Sequence, residues 1–397
     1  MNLDQKYTLI TRNLKEIIGT EEEIKEILKN RSLKIYLGIT PSGRIHIGYF
    51  VQILKIADYL TSDCEVTILI ADLHAYLDNM KSSMESVKVR SKYYISMIHA
   101  MLQTLNVSIQ KLKFVIASDY QLSNEYVLDI FKANSFITVK EAQHAGSEVV
   151  KQSQHPTLNS LLYPTLQALD EKYLNIDVET GGIDQRKIFG HARKIMPKIG
   201  YKPSFYFMTP IVSGLRFVKN ETNTNPITLL DRKKLLAAIE IEVNDERLLH
   251  IINEINEDYQ FSKLINSTTS TKMNSSDPNT KIDCLDSKNQ IKSKINKAYC
   301  YPGDTDDNCL MDILKKIIFP LLQYKKCDFI IDRPEKFGGC VIYKSFEMVE
   351  NDFQFKKLHP TDLKRGTIDM IDFILEPIRK EFETEELKNL LNDAYTN

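Results

Sequence analysis

The stretch TPSGRIHIG, Thr40 to Gly48, sets a histidine two residues ahead of a glycine, at the seam where an apolar run gives way to a helical pattern. Glycines let a backbone approach a nucleotide closely, and the helix that follows aims free N–H groups and its positive dipole end at any phosphate placed there. His46 can then hydrogen-bond a phosphate oxygen as charge develops on it. The bland alternative is a PSG turn with His46 at the surface, because short glycine motifs also arise by chance. Further along, YPTLQALD puts Tyr163, Gln167 and Asp170 at i, i+4 and i+7, on one side of a single helix. Such a face offers an acceptor for a phenolic O–H and acceptors for an ammonium group. Equally, Gln167 and Asp170 could be ordinary polar positions on a half-buried helix. GGIDQ, Gly181 to Gln185, has glycines that permit close packing on an adenosine and an acid, Asp184, placed to accept ribose hydroxyls or to cap a helix.

Those groups need a scaffold that brings them together. Residues 33–39 read as a buried strand, and Phe50, Ile53, Leu54, Ala57 and Leu60 then form the stripe of a helix laid on a sheet. A strand over 66–71, a helix over 87–105 and a strand in LKFVIASD continue the alternation. Residues 124–154 read as mainly helical, after which LNIDVETGG resumes the pattern with a strand and a helix. The alternation predicts an α/β fold with a doubly wound parallel, Rossmann-like sheet, whose ligands sit at the carboxyl ends of the strands. Two amphipathic helices and the polar run NSTTST are predicted between 216 and 271. Beyond 287 the pattern is mostly helical, over 291–298, 311–319, 361–382 and 385–394. The chain thus divides into a Rossmann-like domain over 1–215, a hairpin inserted at 216–270, a loop over 271–286 and a helical domain over 287–397.

Composition excludes several classes. The 397 residues, 43% hydrophobic, can bury full cores, and a net charge of -1 gives no global attraction for a polyanion, so any nucleic-acid surface is local. The six cysteines show no CxxC and the eight histidines no HxxxH, so no metal site or disulfide framework is predicted and reduced thiols are expected. No signal peptide or membrane-length apolar run is visible.

With KMNSS, Lys272 to Ser276, these motifs resemble the tyrosyl-tRNA synthetases of the archaeal and eukaryotic type, class I enzymes with HIGH and KMSKS elements. The HIGH-like element is His46-Ile47-Gly48-Tyr49, with Tyr49 in place of the second histidine. In the KMSKS-like element a serine replaces the second lysine and Asn274 a serine, which leaves transition-state contacts to Lys272. The resemblance runs from Lys6 to about Phe382, with no recognised counterpart for about 216–270. It implies that His46 and Lys272 are catalytic. It further implies that Tyr36 and Asp170 hold a tyrosine hydroxyl, that Tyr163, Gln167 and Gln185 hold its ammonium group, and that His74 borders its ring, unless His74 is a core histidine. Gly38, Ser42, Gly43, His46, Gly48, Gly182, Asp184, Lys272, Met273 and Ser275 would contact ATP, with magnesium carried on its phosphates. Arg186 would face the tRNA acceptor stem. Phe337 in RPEKFGG would stack on the first anticodon base, and His359 and Asp362 in LHPTD would read it, although HPTD is also a good helix start. A cytoplasmic homodimer joined through 124–155 is the family expectation. A tryptophan-specific relative, or a synthetase-derived RNA-binding protein without activity, are the alternatives.

Overall fold

The computed structural model describes residues 1–77, 82–149, 157–216, 272–275, 278–306 and 308–395. The predicted hairpin at 216–270 therefore lies outside the described residues except for Arg216, as does Ser276.

Six strands, β1 (Glu16–Ile18), β2 (Lys34–Ile39), β3 (Glu65–Ile70), β4 (Leu112–Ile116), β5 (Val178–Gly182) and β6 (Phe205–Thr209), form one sheet in the order β1-β6-β5-β2-β3-β4. All neighbours pair in parallel except β1 and β6. The run EVTILI in β3 is buried at every position after Glu65, as a strand covered on both faces must be. The helix Phe50–Thr61 follows β2 and is likewise almost wholly buried. Ser83 caps the helix Met84–Gln103 by accepting from Ser86 N–H. From β2 the chain winds out through β3 and β4. It then crosses back to place β5 on the other side of β2. The order reverses between β2 and β5, and the carboxyl ends at such a reversal are where sheets of this kind take their ligands.

The alternation over 33–116 and 178–195 appears as predicted, with boundaries shifted by a few residues. Two departures have physical causes. The antiparallel edge strand β1 and its partner β6 escape a sequence reading because β1 is only three residues long and earns its place by pairing with FYFMT. The C-terminal part, predicted to be mostly helical, also holds a hairpin of β7 (Phe329–Ile331) and β8 (Val341–Tyr343) and a helix Phe346–Gln354. The segment predicted as a helix over 311–319 runs from Cys309 to Lys325, with a wider π turn at Leu314–Ile318. The long helix Pro360–Glu381 and the helix Glu385–Tyr395 follow. One apolar core runs without a break from Ile53 and Leu54 through Ile317 and Leu321 to Phe382 and Ala394, so the sheet and the C-terminal helices pack as one body.

Candidate active site

At the end of β2 the chain turns through Pro41 and Gly43 into His46. This histidine is buried, not at the surface, and its Nδ1 accepts Gly48 N–H at 3.2 Å, which caps the short helical turn Ile47–Tyr49. With Nδ1 accepting, the proton of the neutral ring sits on Nε2 as a free donor. Burial, helped by the charges of Lys281 and Lys272, pushes the His46 pKa down to about 3. A Cβ on Gly48 would stand 2.9 Å from that ring, so only glycine fits the cap.

The KMSKS-like segment lies directly on this loop. A Cβ on Gly43 would come within 2.7 Å of the Ser275 Cβ. The backbones of Ile47 and Ile282, and of Cys284 and Ile45, are hydrogen-bonded, and Arg44 pairs with Asp283 at 3.0 Å. Lys281 reaches the carbonyls of Arg44 at 3.1 Å and of Ser275 at 2.8 Å, tying the two signature loops together. Met273 is buried in the core beneath Gly48. Lys272 pairs with Asp184 at 2.5 Å, so the two residues expected at opposite ends of ATP meet each other here. Ser42 is exposed beside Gly43. The Gly43 carbonyl is held twice, by the hydroxyls of Tyr94 at 2.6 Å and Tyr395 at 2.9 Å. Tyr395 ends the last helix, where Arg90 also holds the Ala394 carbonyl at 3.0 Å.

A second cluster of polar side chains is carried by the helix Leu158–Tyr173. Asp170 is fully buried; its Oδ1 accepts from Tyr120 Oη at 2.6 Å, Gln121 Nε2 at 2.7 Å and Tyr126 Oη at 2.9 Å, while Oδ2 has no partner. Burial pushes its pKa up to about 7 against the pull of those donors. Tyr36 is buried on β2, with its hydroxyl where a Gly38 Cβ would meet it at 2.9 Å. The phenol is pushed well above its usual range by burial and by the nearby Glu179 and Asp170. Gln167 Nε2 donates to Glu179 Oε1 at 2.8 Å and to Gln185 Oε1 at 3.2 Å. The His74 ring meets Tyr163 edge-on at 4.3 Å, and burial lowers its pKa to about 4, so it is neutral. Tyr36, His74, Tyr163, Gln167, Asp170 and Gln185 thus gather around the β2 and β5 ends. Sequence reasoning missed Tyr120, Gln121, Tyr126, Glu179 and Lys281, none of which sits in a motif. A Cβ on Gly182 would collide with Asp184 Oδ1, and one on Gly181 would press on Gln185 and Phe189.

The elements expected to meet RNA lie elsewhere. Arg186 is exposed and paired with Glu16 at 2.8 Å. Phe337 is 61% exposed, so it is not a core residue. His359 caps the helix Pro360–Glu381 by accepting Thr361 N–H at 3.2 Å, as the HPTD reading predicts. Asp362 faces Arg333 at 3.8 Å and Arg365 at 3.5 Å, and Arg333 holds the Gly339 carbonyl at 2.8 Å, which joins the loop of Phe337 to this helix start.

The profile of class I tRNA synthetases (W and Y) matches residues 28–239 and 246–376. The chain belongs to this family. Relatives of this synthetase group include a cytoplasmic tyrosine–tRNA ligase of Danio rerio, 44% identical over 99% of this chain and 63% of its own length. Another is the cytoplasmic tyrosine–tRNA ligase of Saccharomyces cerevisiae, 41% identical over 96% of this chain and 84% of its own. The chain spans less than two thirds of the vertebrate relatives it matches, 63% for the Danio protein. Among solved structures, a tyrosyl-tRNA synthetase of Archaeoglobus fulgidus complexed with L-tyrosine superposes with a TM-score of 0.75 at 31% identity, covering 96% of this chain and 99% of that one. Among the described residues no group of three or more His, Cys, Asp or Glu is placed to hold a metal ion, and no helix is long and apolar enough to cross a membrane.

Proposed function

We propose that the chain is a tyrosine–tRNA ligase. The observation that carries this reading is Asp170: a buried carboxylate with one oxygen fixed by three donors and the other bare, beside Tyr36. A buried acceptor without a partner is a binding group for a phenolic O–H, and leaving it unpaired disfavours phenylalanine. The same pair disfavours a tryptophan-specific reading, because an indole lacks the hydroxyl they complement. Tyr163, Gln167 and Gln185 then take the ammonium group, and His74 borders the ring. The tyrosine-bound relative supports this assignment.

In the first step a tyrosine carboxylate oxygen attacks the α-phosphorus of ATP; that P–O bond forms as the bond to the β-phosphate oxygen breaks and pyrophosphate leaves. In the second, a ribose hydroxyl of the terminal tRNA adenosine attacks the tyrosyl carbonyl, AMP leaves, and the hydroxyl proton is lost to solvent or phosphate. No protein nucleophile is needed, so alignment and charge stabilisation carry catalysis. His46 offers a neutral Nε2–H to the phosphate, and Lys272 exchanges Asp184 for phosphate oxygens, which frees Asp184 for the ribose. Gly38, Ser42, Gly43, Gly48, Gly182 and Ser275 line the ATP path, and magnesium arrives on the phosphates.

For tRNA, exposed Phe337 stacks on an anticodon base and Asp362 and His359 meet its edge, while Arg186 turns from Glu16 to the acceptor stem. A homodimer through 124–155 is supported by Leu128, Phe131 and Val139, which are 66%, 67% and 60% exposed. The cytoplasm is the proposed location. Aminoacylation of total tRNA with each amino acid in turn tests the reading, with tyrosine alone expected to load. Well-folded protein without tyrosine-dependent ATP–pyrophosphate exchange would instead favour a binding-only RNA partner.

A further inference from the structure

Glu179 sits mid-strand in β5, 1% exposed, in register with Tyr36 of β2 and so on the same face of the sheet. The two-step chemistry does not use it. Its Oε1 accepts Gln167 Nε2 at 2.8 Å and its Oε2 accepts nothing. Behind it the buried Glu171 accepts Ser204 N–H at 2.9 Å and Tyr206 O–H at 2.8 Å. Burial and the neighbouring Glu171 push Glu179 well above the carboxylate range. That shift favours the protonated acid at Glu179, and its Oε1, which takes the Gln167 N–H, serves as the acceptor.

A glutamine amide is nearly symmetric in shape and opposite in polarity at its two ends. Gln185 could turn its own amide together with that of Gln167 and keep their mutual hydrogen bond, so Gln185 alone sets no direction. Glu179 breaks the tie. Its acceptor oxygen requires the NH2 of Gln167, and the Gln167 carbonyl must then face away. We propose that Glu179 is a positioning residue that fixes the Gln167 amide with its carbonyl turned to the substrate's ammonium group. This rests on the tyrosine reading above. The chain of partners runs from Tyr206 and Ser204 through Glu171 and Glu179 to Gln167, so polarity set deep in the helix-sheet interface reaches the amino-acid pocket.

The test uses the full chain with Glu179→Met and Glu179→Gln, and binding of L-tyrosine, tyramine and 3-(4-hydroxyphenyl)propionate. Tyramine keeps the ammonium group and the propionate lacks it. Glu179→Met should weaken tyrosine and tyramine by about ten- to hundredfold, the range for a lost hydrogen bond to a charged group, and leave the propionate within about twofold. Glu179→Gln should restore near-native binding, because its amide donates to Glu171 and accepts from Gln167 as the protonated acid does. On a Gln167→Ala background, Glu179→Met should add nothing. Equal loss of all three ligands, failure of the glutamine variant to rescue, or a further loss on the alanine background would each overturn the proposal. A wild-type chain that binds neither tyrosine nor tyramine would overturn the tyrosine reading and this inference with it. Unchanged tyrosine binding in the methionine variant would overturn the inference alone.

Discussion

Asp170 gives its two oxygens different work, and its ionisation links binding to stability. Its pKa of about 7 in the folded chain lies above the roughly 3.9 of an unfolded one, so between those values the folded state holds a proton the unfolded state has released. Stability from this group is full below about pH 4 and is lost as pH rises through about 7. Asp170→Asn removes the titration. Its melting temperature relative to wild type should climb from about pH 5 to pH 8, while tyrosine affinity drops about tenfold or more; parallel pH profiles for the two proteins would contradict this. His46, held near a pKa of about 3, stays neutral throughout. His46→Ala should lower the exchange kcat on the order of 10²-fold by removing one donor to the developing charge. The factor should be the same at about pH 6 and pH 8, and a defect that deepens in acid would point to an imidazolium. These residues were legible because each carries a motif of its own. The donors that hold Asp170 were not, since Tyr120 and Tyr126 are 50 and 44 residues away in the chain, the first just past a strand and the second in a stretch read only as helical.

Between the two signature loops, one ammonium group holds a carbonyl from each, beside the backbone hydrogen bonds and the Arg44–Asp283 pair that also join them. Lys281 is buried and grips a carbonyl from each loop, and burial lowers its pKa despite Asp283 nearby. Lys281→Met keeps the stem and deletes the grip. The KM for ATP in exchange should rise by up to about thirtyfold, from two lost hydrogen bonds of about 1 kcal/mol each, with the tyrosine KM little changed; the reverse pattern would place Lys281 in the amino-acid pocket. Among the elements, β2, β3, β4 and β5 declared themselves through apolar runs joined by helical stripes. β1, β7 and β8, three residues each, did not, because so short a strand is set by its partner more than by its own residues. The Lys272–Asp184 pair was also out of reach, since both side chains belong to motifs that sequence assigns to different ends of one ligand.

At the scale of the molecule, the apolar face of 124–139 asks for a cover. Leu128→Asp combined with Phe131→Asp should convert a dimer to a monomer in sedimentation without lowering the melting temperature of the folded monomer core, because both side chains already stand in water. A mass unchanged by the pair would assign the subunit contact to another face. The division into a sheet half and a helical half was readable from the change in periodicity near 287, whereas the continuity of the core across it was not. That continuity reaches the phosphate loop through Tyr395, whose hydroxyl grips the Gly43 carbonyl across 352 positions of sequence. A contact this distant is among the last a chain can close, since everything between must be in place first. On the ribosome, the nascent polypeptide exposes its glycine turn early, with Tyr94 to hold it, and gains the second grip only after the helix that carries Tyr395 has emerged 352 positions later.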